Sequence, residues 1–583
     1  MKSSKLVVDI ETDAIPSTKV WMVGCLDVDT QEEKTFLYPV DTKELTECLN
    51  SYETIIGHNI IGFDLPVLER VLGVTVSPSV NTVDTLILSR LYNPQLENGH
   101  SLKAWGERLK FPKGDHNDWT KLTPEMIEYC KQDLRVTAKV YEVLMGRLAE
   151  FEGESIALEH RVQHIITSQI NNGWLLDTKQ CWNLLADLKV RKMELEHEVH
   201  ARFQPLPVFI KEVTPKINKD GTLSTVGLKF ISDDKSYLND LVVGTFSRVD
   251  FPEFNLGSRQ QIGRYLQFFG WEPKDFTEKG QAIVDEAVLK DVTDIPEAQM
   301  IAEYLLITKR MAQVDSWLKA RKDDTGRVHG DVNTIGAVTG RMTHSSPNMA
   351  QVPAVYSEYG KECRSCWVVP EGYKLVGCDA SGLELRMLCH YMNDEEYTHE
   401  VINGDVHTAN QKAAGLPTRN DAKTFIYAFL YGAGDAKIGS IVKGTSADGA
   451  RLKESFLSNV RSLGELRERV ERATGRGYLR GLDGRKLIIR SPHAALNTLL
   501  QSAGAIVMKK ALVIFDDYHR KWNLDVKYIG NIHDEVQMEV RADQADKAGW
   551  LFVECIKAAG TQLNMRCPLD GEYKVGDTWA ETH

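Results

Sequence analysis

Cysteine is scarce in this chain: ten residues in 583, and the one close pair, Cys363-Ser-Arg-Cys366, has no second Cys or His pair beside it to complete a zinc site. That excludes a disulfide scaffold and a zinc module, and leaves mostly buried thiols in a reducing cytoplasm as the expectation. No long apolar run offers a membrane span. The N-terminal Met1-Lys2-Ser3-Ser4-Lys5-Leu6-Val7-Val8-Asp9 also lacks the apolar core of a signal peptide, because Asp9 and Glu11 interrupt it. The expectation is a chain neither secreted nor embedded in a membrane. Internal repeats and low-complexity tracts are missing too, which removes solenoids and long disordered tails.

An excess of positive charge is also lacking. Lys and Arg number 70 against 82 Asp and Glu, a net charge of −12, which would argue against nucleic acid if the charges were spread evenly. They are not. From Arg461 to Arg490 nine basic residues face four acidic ones. The alternation over 465–472 reads as a solvated helix face. The Gly-spaced arginines that follow, Gly475-Arg476-Gly477 and Arg480-Gly481-Leu482-Asp483-Gly484-Arg485-Lys486, fit a loop near phosphates.

A chain this long exceeds what one hydrophobic core supports, so roughly three to five domain-sized units are expected. Residues 5–11 and 54–58 read as short buried strands, with helical patterns through about 145, as in a mixed α/β unit ending near 150. From Glu154 to about Phe203 the apolar spacing suggests long paired helices. Residues 204–254 change character, with Pro205, Pro207 and Pro215, the turn Asn218-Lys219-Asp220-Gly221 and strand-like runs such as Thr225–Ile231. This reads as an insertion between helices. Helical periodicity resumes at Ser258–Phe269 and Pro296–Leu318, and a further unit begins near Asp331.

Two constellations carry chemistry. In Leu6-Val7-Val8-Asp9-Ile10-Glu11, strand alternation sets Asp9 and Glu11 on one face, a costly pairing on a buried strand unless a cation sits between them. Asp64 follows the strand-like Ile55-Ile56-Gly57-His58-Asn59, and Tyr129 and Asp133 stand at i and i+4 on one helix face. The ordered set Asp-x-Glu, Asn-x4-Asp, Tyr-x3-Asp resembles the DEDDy class of 3′→5′ exonucleases. That resemblance makes Asp9, Glu11, Asp64 and Asp133 the ligands of two Mg²⁺ or Mn²⁺ ions, with Tyr129 orienting the attacking water. No acid of the pattern is missing, so an active proofreader is expected.

The second constellation begins with Tyr373–Asp379, a strand ending in an acid. Asp525–Ile532 and Val536–Val540 read as two strands joined through His533-Asp534-Glu535, which sets Asp534 on a hairpin tip. Two strands presenting Asp379 and Asp534 suit a two-metal nucleotidyl transfer site. Between them, Thr418 and Asp421 have capping-box spacing, so a helix starts near Arg419. On it Arg419, Lys423, Tyr427 and Tyr431 fall at four-residue intervals: two cations for a triphosphate, then two aromatics for a base.

The phrases Asp-Ala-Ser-Gly-Leu-Glu-Leu-Arg (379–386), Gly-Asp-Val-His-Thr (404–408), Lys-Thr-Phe-Ile-Tyr (423–427), Gly-Leu-Asp-Gly-Arg-Lys (481–486) and Ser-Pro-His-Ala-Ala-Leu-Asn-Thr-Leu-Leu-Gln-Ser-Ala-Gly-Ala (491–505) identify a resemblance to the DNA polymerase I family, family A, in its bacteriophage replicative branch. The resemblance is dense from about 320 to 583, carried by motifs in the exonuclease and loose between them. It implies an α/β and α+β multidomain fold: an RNase H-like exonuclease domain (1–150), a thumb (151–330) with its insert at 204–254, a palm (331–392 and 493–583) and fingers (393–492). It further implies Asp379, Asp534 and the Ala380 carbonyl as metal ligands, with His407, Arg419 and Lys423 on the triphosphate and Tyr427 on sugar and base. Glu384 would close the pocket against a 2′-OH. Arg341 and Gln501 would read the minor groove of paired primer-template, with Tyr431 as a further DNA contact, His533 at the primer end and Glu535 nearby. No separate 5′-nuclease domain is expected within these residues.

Relatives of this branch recruit thioredoxin as a processivity clamp through a basic thumb insertion. Here 204–254 holds six Lys/Arg against seven Asp/Glu, a poor electrostatic sleeve for DNA. Primer-template DNA, dNTPs and a helicase-primase are the implied partners, with thioredoxin or another clamp at the insert, in the cytoplasm of a host cell. A single-subunit RNA polymerase is the rival reading, opposed by Glu384 and the complete exonuclease set; a nuclease with a vestigial polymerase half is opposed by intact Asp379, Lys423 and Asp534.

Overall fold

Uninterrupted apolar character in Leu6-Val7-Val8, followed by Ile10, produces the strand Lys5–Thr12, which is covered on both faces. In the computed structural model, which describes residues 5–151, 153–214, 216, 218–220 and 245–583, this strand is the centre of a five-stranded sheet. The order across the sheet is Glu33–Leu37, Val20–Asp27, Lys5–Thr12, Thr54–Gly57, Asn81–Asp84; the first three are antiparallel and the last two join in parallel. The helix Pro124–Arg147, capped by the Thr123 side chain, packs across the sheet through Leu134, Val136 and Val140. Gly24 lies opposite Asp9 in register, and a Cβ there would meet the Cys130 sulfur at 2.7 Å. Glycine is what lets the helix bearing Tyr129 and Asp133 approach the acidic strand.

A second sheet has four antiparallel strands in the order Val526–Ile532, Glu535–Arg541, Tyr373–Ala380, Gly571–Gly576. Val376, Cys378 and Ala380 point into a core shared with Val507, Phe515, Phe552 and Ile556 of the helices Ala495–Lys521 and Ala545–Gln562. The first of these corrects an expectation. With its lead-in turn it forms a helix, Pro492–Lys521, apolar and long enough by length and composition to cross a membrane, where the sequence reading found no such run. Its most apolar window is 78% buried inside the protein, which accounts for its composition without any bilayer. The helix Arg419–Leu430 begins where expected, with both hydrogen bonds of the Thr418–Asp421 capping box formed.

The described residues divide into two compact units, Met1–Asp177 with Ala320–His583, and Thr178–Lys319. The paired-helix pattern expected from 154 to 203 is interrupted at Gly173, whose φ of +66° ends the helix Gly153–Asn172 before the short strand Trp174–Leu176. Within the second unit, Arg191 and Arg202 of the helix Thr178–Arg202 pair with Glu303 and Glu297. Phe203 stacks with Tyr265 and Phe269. The described part of the insert is an antiparallel ribbon, Val208–Val213 with Phe246–Asp250. The strand-like run Thr225–Ile231 and the end of the turn at Gly221 lie outside the described residues.

Two candidate active sites

In the N-terminal sheet, ligand atoms of Asp9, Glu11 and Cys130 all lie within 4.8 Å of one another. Asp64 joins the group by accepting the Ile10 N–H at 3.2 Å, and Asp133 enters from the helix one turn after Tyr129. All five residues expected at this site are thus adjacent. Burial, then repulsion from Asp133, pushes the Asp9 carboxyl well up; burial, then Asp9 and Asp133, does the same to Glu11; burial and Asp9 raise Asp64. Asp133 is raised by burial and held back by Lys113, whose ammonium hydrogen-bonds its Oδ2. Its Oδ1 is buried without a hydrogen-bond partner among the described residues. Four crowded carboxylates and an orphaned oxygen are unfavourable without added positive charge, so the donor set fits hard divalent cations.

Sequence reasoning did not single out Lys113. Its ammonium lies 4.6 Å from the centre of the Tyr129 ring, which also meets His116 and Trp119, both at 5.7 Å. Burial pushes the Tyr129 hydroxyl up to about 12, so it remains a proton donor at neutral pH. No spacing rule marks Lys113, which stands in the loop between two helices and acquires meaning only through the fold.

In the C-terminal sheet, Asp379 pairs in register with Glu535, which puts it beside the His533–Asp534 turn. His533 takes a left-handed φ of 56° there, and Asp534 follows. Asp379 opens to solvent at the strand end, yet loss of hydration and then Asp534, Glu535 and Glu572 push its carboxyl up to about 7. Asp534 is raised by burial against the pull of Arg341 and His533, and its Oδ1 is buried without a hydrogen-bond partner. The same fit to a cation follows. Glu535 is engaged elsewhere, accepting from Trp579 Nε1 at 2.8 Å and His583 Nδ1 at 2.7 Å. Burial would raise it, but His583 and Arg364 outweigh that and hold it low, as a brace for the hairpin.

Opposite the acids, Tyr431 at the end of the basic-aromatic helix donates its hydroxyl to Glu384 at 2.7 Å. Glu384 also sits 3.6 Å from Arg341, which in turn reaches Asp534 at 3.8 Å. At the other end of the helix Arg419 donates to Asp405 at 2.7 Å, and the His407 ring lies 6.4 Å from Tyr427. Asp405 caps the helix Val406–Ala414, a role its phrase Gly-Asp-Val-His allowed but which sequence reasoning passed over for His407. Lys423 is exposed on the same stripe, Ala380 is buried in the sheet, and Gln501 lies half-buried on the helix Ala495–Lys521. His533 and Arg341 line a small cavity of about 50 Å³.

The phosphate-loop reading of 475–486 is corrected in part. Arg485 is 2% exposed and is paired with Glu159 and Asp483, and Lys486 pairs with Glu150. Asp483, Glu159 of the helix Gly153–Asn172 and Glu150 in the turn before that helix consume these charges. Arg476 and Arg480 remain exposed.

The comparisons follow this division of the chain. Residues 235–581 match the model for DNA polymerase family A, and residues 6–145 match that of the RNase_H superfamily. The chain is 34% identical to the DNA-directed DNA polymerase of Enterobacteria phage T3, covering 91% of this chain and 92% of that one. Identity and coverage are the same for the DNA-directed DNA polymerase of Escherichia phage T7. In fold it is similar to the POL domain of Pol1 from M. smegmatis in complex with DNA primer-template and dNTP: TM-score 0.78 and 19% identity, covering 99% of this chain and 95% of that chain.

Proposed function

The chain belongs to DNA polymerase family A and is a DNA-directed DNA polymerase with an RNase H-like exonuclease domain, and on that premise we propose that it extends a primer at Asp379 and Asp534 and proofreads it 3′→5′ at Asp9, Glu11, Asp64, Tyr129 and Asp133. Divalent metals are the cofactors of both enzyme classes. In this reading Asp379, Asp534 and the Ala380 carbonyl would hold two Mg²⁺ ions, and Asp9, Glu11, Asp64 and Asp133 two more, with Mn²⁺ as a substitute. Bound there, such ions lower the pKa of the attacking hydroxyl or water and neutralise the leaving oxygen. The rest is the work of side chains. Arg419, Lys423 and His407 bind the triphosphate, and Tyr427 stacks on sugar and base. Glu384, held by Tyr431, excludes a 2′-hydroxyl. Arg341 and Gln501 accept or reject the terminal pair from the minor groove, with His533 at the primer end. In the exonuclease site the protonated Tyr129 hydroxyl orients water.

The observation that carries this reading is the Tyr431–Glu384 hydrogen bond, which ties the basic-aromatic helix to the segment leaving Asp379. The mycobacterial relative's primer-template and dNTP support the same substrates here. Host-cell cytoplasm is the compartment this reading implies, with a helicase-primase alongside. On the insert ribbon Phe209, Ile210 and Val249, with Phe251 just after it, are 43–59% exposed, apolar side chains to which thioredoxin or another clamp would dock in this reading.

Primer extension and degradation test the two-site reading. Asp534→Ala should abolish synthesis, by about 10³-fold or more, and leave degradation intact; Asp9→Ala should do the reverse. Loss of both activities in either folded variant would sink it. Preference for ribonucleotides on a primed template would favour the RNA polymerase alternative.

A further inference from the structure

Arg341 is placed to test the primer end, yet its side chain is not what fixes it. Its guanidinium reaches Glu384 and Asp534 only at 3.6 and 3.8 Å, beyond hydrogen-bond range, which leaves its donors available to a ligand. Its position therefore has to come from its backbone. Gly336 N and Ala337 N both donate to the Arg341 carbonyl, at 3.1 and 3.2 Å, and Gly340 N donates to the Ala337 carbonyl at 2.9 Å.

Beneath this turn lies a buried charge cluster. Lys509, 3% exposed on the helix Ala495–Lys521, places its ammonium on the Glu159 carboxylate (2.7 and 2.8 Å), the Thr334 carbonyl (2.8 Å) and the Gly340 carbonyl (2.8 Å). Three proton donors thus meet three groups, two of them backbone carbonyls at the two ends of one turn. Arg485 closes the cluster, 2.7 Å from Glu159 and paired with Asp483. Its guanidinium also abuts the turn: Gly340 has a φ of +76°, and a Cβ there would lie 2.8 Å from Arg485 Nη1. Two cations and two anions buried together are weak evidence for stability, since a packed apolar cluster serves that end equally well. They do select one geometry, because every donor must find its acceptor.

We propose that Lys509, counter-charged by Glu159 and Arg485, is a positioning residue for primer-end recognition. By clamping the Thr334 and Gly340 carbonyls it holds the Arg341 backbone in register beside Glu384 and Asp534. The inference rests on the reading of Arg341 as a minor-groove contact. Its effect is on selectivity: a small displacement of Arg341 spoils recognition of the correct pair more than it slows extension of a wrong one.

The test is the ratio of extension rates from matched and mispaired primer ends in an Asp9→Ala background, where proofreading does not remove the mispaired end, for the full chain and for Lys509→Met, Arg341→Ala and the double variant, with degradation of single-stranded DNA by the same variants with Asp9 intact as a check of folding. Lys509→Met should lower the ratio about tenfold, and the double variant should lose no more than Arg341→Ala alone, because both changes remove one interaction. If Lys509→Met does not fold, Gly340→Ala carries the same expectation, since it strains the same turn and crowds Arg485 without deleting any of the buried charges. An unchanged ratio in the folded variant, with a lowered ratio in Arg341→Ala, overturns the positioning role alone. Effects that multiply in the double variant do the same. An unchanged ratio in Arg341→Ala overturns the minor-groove reading, and the inference with it.

Discussion

The two acidic sites of this chain solve one electrostatic problem in opposite ways. In the N-terminal sheet four carboxylates converge under cover, and among the described residues one protein cation, Lys113, contacts one of them, Asp133, directly. In the C-terminal sheet two carboxylates suffice, Asp379 stays open, and Arg341 stands off at 3.8 Å from Asp534. Each site nevertheless leaves one buried carboxylate oxygen without a donor, Asp133 Oδ1 and Asp534 Oδ1. The first site is closed over by protein, whereas the second has Asp379 open to solvent. On the proposed assignment of the two sites, steric access accounts for the difference: a polymerase site must admit a new base pair at each step, and an exonuclease site need admit only a frayed strand.

If that contrast holds, removing the protein cation should cost the covered site more than the open one. Lys113→Ala is expected to lower degradation of single-stranded DNA by about 10²-fold, because Asp133 loses its counter-charge and Tyr129 its cation–π partner. Synthesis on a matched primer should stay within about twofold of the parent. Equal losses of both activities would erase the distinction, and Lys113→Arg should restore part of the degradation rate.

The next effect is smaller and concerns stability. Asp9, Glu11 and Asp64 are all raised in the folded protein above their ordinary range near 4. The folded, metal-free chain therefore holds protons that the unfolded chain has released, and its stability falls as pH rises through the raised values. Divalent cations displace those protons and should restore stability, more so at pH 8 than at pH 5.5. Glu11→Gln removes a group that is ionised in the unfolded chain at pH 8 and must take up a proton on folding, so it should raise the metal-free melting temperature at pH 8 by about 2–4 °C and shrink the gain from added Mg²⁺. Asp379→Asn, at the open site, should do the same more weakly. Equal shifts in calorimetry would show that the two sites bear similar strain.

Much of this was legible in the sequence because it is local. The strand Lys5–Thr12 sets Asp9 and Glu11 on one face by alternation alone, and the Thr418–Asp421 capping box fixes the start of the helix bearing Arg419, Lys423 and Tyr427. What escaped is long-range in the chain. Lys113 meets Asp133 across a loop, and Lys509 meets Glu159 from a helix far along the sequence. The Gly-spaced pattern around Arg485 suggests a solvated phosphate contact, but Asp483 two residues earlier folds back on it and Glu159 completes the burial. Charge patterning records composition along the chain; which charges are neutralised is decided by tertiary contacts.

The smallest expected effect probes how loosely the open site is assembled. Tyr431 is 48% exposed, and its one side-chain hydrogen bond, 2.7 Å to Glu384, is the link between the basic-aromatic helix and the strand end at Asp379. A half-exposed bond to a carboxylate contributes about 0.5–1.5 kcal/mol, because water replaces most of what is lost. Tyr431→Phe should therefore change kcat/KM for a correct dNTP by only about two- to tenfold, with no change in degradation. The effect should be larger on discrimination against ribonucleotides, since Glu384 would then be free to swing away from the position where a 2′-hydroxyl would meet it. Steady-state incorporation of dNTP and rNTP by the variant, compared with Glu384→Gln, separates the two contributions. If Tyr431→Phe left ribonucleotide exclusion untouched while Glu384→Gln reduced it, Glu384 would be held by Arg341 instead, and the open site would be braced from the Arg341 turn rather than from the basic-aromatic helix.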